Sequence, residues 1–95
     1  MNENMVVSYQ RTSFYESEEL EDELVVMETN SQAITTLNPA GRLIWEAIEP
    51  ATTLADLEHM VCQEMPGFDR RSLRDQIQTV LDTLIAAGLA VKSDQ

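Results

Sequence analysis

Met5, Val7 and Tyr9 alternate with Val6, Ser8 and Gln10, a period of two that predicts a first strand after a loose Met1–Asn4. Leu24 to Glu28 (LVVME) is apolar and β-branched, Thr29-Asn30-Ser31 is turn chemistry, and Gln32 to Leu37 (QAITTL) is rich in β formers, so a hairpin of a second and a third strand follows. Between them Glu16–Glu23 reads ESEELEDE, whose charge density predicts a solvated loop. In a meander of these strands the third has no further strand to pair with in sequence, which makes it a candidate open edge.

The period changes at Asn38-Pro39. An Asn side chain accepts orphan backbone N–H groups, and Pro lacks a donor where none is needed, so a first helix begins here. Ala40, Leu43, Ile44, Ala47 and Ile48 fall on one wide face, and Pro50 stops the helix near Glu49. Gly41 weakens this helix relative to Ala, which predicts close approach of another backbone. Thr53 and Asp56 make a capping-box-like start for a second helix carrying Leu54, Leu57, Val61 and Met65. Pro66-Gly67 ends it. Asp69 caps a third helix with Leu73, Ile77, Val80, Leu81 and Leu84 on its apolar face, and Gly88 stops it. Leu89 and Val91 form a last apolar hook, either a short extended piece or the chain end folding back; residues 92–95 are expected to be loose. The expected fold is α+β and winged helix-turn-helix-like: an N-terminal three-stranded antiparallel sheet followed by three helices, in one domain.

Ninety-five residues suffice for one core, and no apolar run approaches the roughly 20 residues of a membrane span. The start lacks the build of a signal peptide, and Cys62 is the one cysteine, so a cytoplasmic protein without a disulfide framework is expected. The formal net charge is -11, with Arg11, Arg42, Arg70, Arg71, Arg74 and Lys92 the only basic residues. Such a field repels phosphates, which argues against nucleic acid and anionic membranes as partners.

Catalytic and metal chemistry find little support. His59 is the single histidine, on the polar side of the second helix, and with Cys62 it makes no known ligand set, so no metal and no cofactor are expected. A Cys62 nucleophile would lack oxyanion donors. Trp45 sits off the centre of its helix's apolar face, so its indole must reach round to a neighbouring element or stay partly exposed. Arg70, Arg71 and Arg74 crowd the N-terminal end of the third helix, where anions are preferred, and need Asp69, Asp75 or an external acidic group to offset them.

The run Leu37-Asn38-Pro39-Ala40-Gly41-Arg42-Leu43-Ile44-Trp45-Glu46, then Thr53-Leu54-Ala55-Asp56-Leu57, then Val80-Leu81-Asp82-Thr83-Leu84 closing on Gly88-Leu89, resembles the coenzyme PQQ synthesis protein D-like family. The resemblance covers about two thirds of the chain, and its most specific part is LNPxGxxIW directly after a hairpin. Glu49-Pro50 stands where the PQQ protein itself commonly has Asp-Gly, which favours another peptide pathway, such as a lasso-peptide or radical-SAM cluster. The family resemblance implies a non-catalytic RiPP recognition element. Such a domain binds the leader of a ribosomally made precursor as an extra strand beside the third strand, against the third helix, for delivery to a modifying enzyme. Backbone pairing is then expected at Ala33, Ile34, Thr35 and Thr36, and side-chain reading at Arg71, Arg74, Gln78 and Leu81, with the arginines receiving acidic leader residues. The competing reading is a winged helix-turn-helix regulator whose third helix enters the DNA major groove through Arg70, Arg71, Arg74, Gln76 and Gln78, against which the overall charge argues.

Overall fold

The computed structural model describes residues 7–67 and 69–94; Met1–Asn4, Met5, Val6 and Gln95, for which expectations are given above, lie outside them. The strands β1 (Val7–Arg11), β2 (Tyr15–Leu20), β3 (Glu23–Glu28) and β4 (Ile34–Leu37) precede the helix α1 (Pro39–Ala47). A two-residue strand β5 (Thr52–Thr53), helices α2 (Leu54–Glu64) and α3 (Arg70–Ala86), and strand β6 (Ala90–Asp94) complete the order. The fold is α+β, with a three-stranded antiparallel sheet, β2-β3-β4, ahead of three helices, and a second three-stranded sheet, β5-β1-β6.

The membership of the first sheet differs from expectation. The acidic stretch is not a loop: β2 pairs with β3 from Tyr15↔Glu28 to Leu20↔Glu23. Its charges sit on a sheet edge, where water solvates them and where they discourage further pairing. The first strand, β1, leaves the meander and pairs instead with β6, in register from Val7↔Asp94 to Arg11↔Ala90. Lys92 to Asp94, expected to be loose, thereby become part of a strand.

The helices begin where their caps predict. Asn38 Oδ1 accepts the Gly41 N–H at 2.8 Å, Thr53 Oγ1 that of Asp56 at 3.2 Å, and Asp69 Oδ1 that of Arg71 at 3.0 Å. Gly88, at φ +78°, closes α3: its N–H donates to Ile85 O and the Leu89 N–H to Leu84 O, the two bonds of a Schellman motif. Gly41 does not admit another backbone; a Cβ there would stand 3.3 Å from the side chains of Leu37 and Asn38. Glycine thus lets the helix start sit tightly on the end of β4.

Leu24, Val26 and Leu37 from the first sheet, Tyr9 and Ala90 from the second, and Ile44, Leu57, Val61, Leu73, Ile77, Leu81 and Leu84 from the helices share one core. Trp45 takes the first of its two expected courses and reaches a neighbour: it is buried, with its ring edge-to-face to Tyr15 at 4.9 Å and 85°. The Arg11 guanidinium lies 5.0 Å from the Trp45 ring and 5.4 Å from that of Tyr15, so a residue of β1 clamps α1 and β2 together. Among the described residues no helix is long and apolar enough to cross a membrane.

Candidate functional site

β4 is the last strand of its sheet. In an antiparallel ladder, backbone groups point alternately toward and away from the partner strand. The Glu28 N–H donates to Ala33 O at 2.9 Å, which places Ala33 on the inward set, and Thr35 and Leu37 follow at the period of two. Ile34 and Thr36 therefore turn their N–H and C=O groups outward, away from β3. Ala33 has no such freedom, since its N–H also donates to Ser31 Oγ at 3.2 Å. The hairpin turn behind it is held by Glu28, whose carboxylate accepts the Ser31 N–H at 2.7 Å and the Asn30 side-chain amide at 3.4 Å. These donors hold the Glu28 carboxyl below its ordinary value, the Ser31 N–H most of all.

Beside this edge lies a cleft of about 230 Å³, lined on the strand side by Thr35, Thr36 and Leu37 and on the α3 side by Thr79, Val80 and Thr83. None of the described residues fills it. An adjoining apolar hollow of about 260 Å³ shares Asn38 and Val80 with the cleft and runs on between α1, α2 and α3, past Ile44, Met65 and Leu73. The Thr79 hydroxyl donates to Asp75 O and the Thr83 hydroxyl to Thr79 O, both at 2.9 Å. With their hydrogens committed to the helix, these residues offer the cleft only methyl groups and acceptor lone pairs. Among the described residues Glu23 is the one charged residue lining it.

The structure brings Ile34, Thr35 and Thr36 to this place and carries Arg71, Arg74, Gln78 and Leu81 elsewhere. At 100° per residue these four project roughly 130–170° round α3 from the Thr79–Thr83 border. Leu81 is fully buried in the core. Arg74 crosses to α2, where Nε and Nη2 donate to the two carboxylate oxygens of Glu58 at 2.6 and 3.0 Å, and Gln78 donates to Asp82 at 3.0 Å. Asp69 caps the helix through the Arg71 backbone N–H, and of the three crowded arginines Arg74 is offset locally, by Glu58 in the part assigned to Asp75.

Thr79, Val80 and Thr83 were not singled out by the sequence. A signal existed: three β-branched residues within five positions of a helix are poor helix formers and need a reason to be there. Cys62 is half-buried and His59 exposed. Among the described residues no group of three His, Cys, Asp or Glu side chains could hold a metal ion.

Comparison with known proteins bears on the family and the fold. The family model described as coenzyme PQQ synthesis protein D (PqqD) matches residues 23–90, from the start of β3 to the start of β6. No curated protein matches the chain. Among solved structures, TbiB1 in complex with the TbiA(beta) leader peptide is 20% identical with a TM-score of 0.71, over 85% of this chain and 93% of that one. A lasso peptide synthetase B1 complexed with the leader peptide is 17% identical with a TM-score of 0.71, over 87% and 96%. At such identities the likeness is one of fold.

Proposed function

Because this chain belongs to the coenzyme PQQ synthesis protein D (PqqD) family, we propose that it is a RiPP recognition element, which binds the leader peptide of a ribosomally made precursor. The similar folds named above were each solved with a leader peptide, and this chain has the parts to hold one. The observation that carries the reading is the outward N–H and C=O groups of Ile34 and Thr36 beside an open cleft. An extended segment laid along β4 satisfies those groups with its own backbone, and alternate side chains enter the cleft. Strand addition supplies affinity without regard to sequence. Selection comes from the wall of Thr79, Val80 and Thr83, which receives uncharged side chains of small or branched shape, in place of the acidic residues expected of an arginine site.

The protein does no chemistry of its own in this reading. It acts in the cytoplasm, holds the leader still, and leaves the remainder of the precursor to a modifying enzyme of the same pathway.

If the neighbouring genes encode a short precursor, titration of the purified protein with the leader of that precursor, and with a scrambled leader, tests the proposal. The authentic leader binds more tightly. Thr36→Pro removes one outward N–H that takes no part in the β3 ladder, so this variant keeps its circular dichroism spectrum and loses leader affinity. Equal binding of leader and scramble, or full affinity in folded Thr36→Pro, overturns the reading.

A further inference from the structure

The β2-β3-β4 sheet has a second face. Leu24, Val26, Thr35 and Leu37 are buried toward the helices, so strand alternation turns Glu16, Glu18, Val25, Met27, Ile34 and Thr36 the other way. The ladder aligns Glu16, Met27 and Ile34 in one row across the sheet and Glu18, Val25 and Thr36 in the next. Val25, Met27 and Ile34 are outside the core cluster, and with Glu16 and Glu18 they line a shallow hollow of about 230 Å³. Ile34 is 65% exposed; Phe14, one residue before β2, is 63% exposed, and Leu20 at its end 51%. These are three of the four large apolar side chains left exposed among the described residues, and all lie on or beside one sheet, Phe14 and Leu20 at the two ends of β2 and Ile34 beside Val25 and Met27 between them. Single exposed apolar residues need no explanation, but a cluster with a charged margin marks an interaction surface.

We propose that this outer face docks a second, folded protein whose contact surface is apolar at its centre and carries Lys or Arg at its rim. On the leader-binding reading above, on which this rests, that partner is the peptide-modifying enzyme to which the leader is delivered. Charge complementarity favours this occupant: carboxylates of Glu16 and Glu18 margin the apolar rows, and the whole chain carries -11, so a basic rim is drawn to it and an acidic one repelled. A second copy of the chain fits poorly, because face-to-face pairing would set those carboxylates against their own kind. The location suits delivery. The outer face spans β2 to β4, whereas the leader cleft opens between the β4 edge and α3, so leader and enzyme can be held together.

The test uses the full chain, the leader found to bind it, and the purified peptide-modifying enzyme that acts on that leader's precursor. In Glu16→Lys/Glu18→Lys, both changes are at exposed positions; enzyme affinity falls roughly tenfold or more while leader affinity is unchanged. Phe14→Ser/Leu20→Ser weakens the enzyme complex without altering its salt dependence. In the unmodified protein, enzyme addition slows hydrogen exchange in residues 15–27. Enzyme binding that is absent, or unaffected by the charge reversal, overturns the inference, and so does a sedimentation dimer abolished by that reversal. Failure of the leader to bind while the enzyme still docks on this face would count against the leader reading alone.

Discussion

Arg74 grips Glu58 with two nitrogens on two oxygens, at 2.6 and 3.0 Å, and so ties the start of α3 to the middle of α2. The pair lies on the far side of α3 from the cleft, and its arginine holds the Glu58 carboxyl below its ordinary value. Arg74→Glu is accordingly a variant of helix packing: it lowers the thermal midpoint slightly, by setting two carboxylates together, and leaves leader affinity unchanged. Thermal melts alongside a leader titration check both halves.

Acid should weaken the fold through two identified carboxylates. Glu28 and Glu58 both have values lowered from 4.5 in the folded chain. A depressed carboxylate contributes stability that is present above the unfolded value and is lost as pH falls through the folded one, so the loss sets in below about pH 4.5. Urea midpoints taken from pH 7 to pH 3 show a decline. Glu28→Gln makes that decline shallower, whereas an unaltered pH slope would remove Glu28 from the account.

Gly88→Ala tests the end of α3. At φ +78° any Cβ is strained, and this one would also meet the Glu28 side chain at 3.5 Å. A loss of about 1–2 kcal/mol is expected in chemical denaturation.

Leu81→Ala separates core from site. Leu81 is fully buried, and truncation there costs about 2–5 kcal/mol of stability with no selective effect on the leader at temperatures where the protein stays folded. Thr83→Arg has the opposite signature. An exposed residue on the cleft wall, it changes stability little when replaced, while the larger cationic side chain obstructs the cleft and weakens leader binding; calorimetry of the two variants distinguishes them.

The three helices were legible because each announces itself locally: Asn38, Thr53 and Asp69 bond the backbone just downstream, as their residue types imply. β2 was not legible. Its residues are nearly all exposed, so no alternation of apolar and polar positions betrays it, and it is a strand because β3 supplies a partner. The pairing of β1 with β6 joins opposite ends of the chain, a relation that local pattern does not encode. The open edge of β4 could be anticipated from strand order, but the border of α3 beside it could not. A helix's rotation about its axis is set by what it buries, here Leu73, Ile77, Leu81 and Leu84, and that choice turned Val80 toward the strand and Arg74 toward α2.

The carboxylates along β2 give the first sheet a polarity. The β2 margin is carboxylate-rich and disfavours pairing with another acidic strand, whereas the β4 margin is uncharged, so copies of this chain cannot stack edge to edge through β2. A protein that must keep a sticky margin exposed at working concentrations thereby avoids becoming the seed of a fibre.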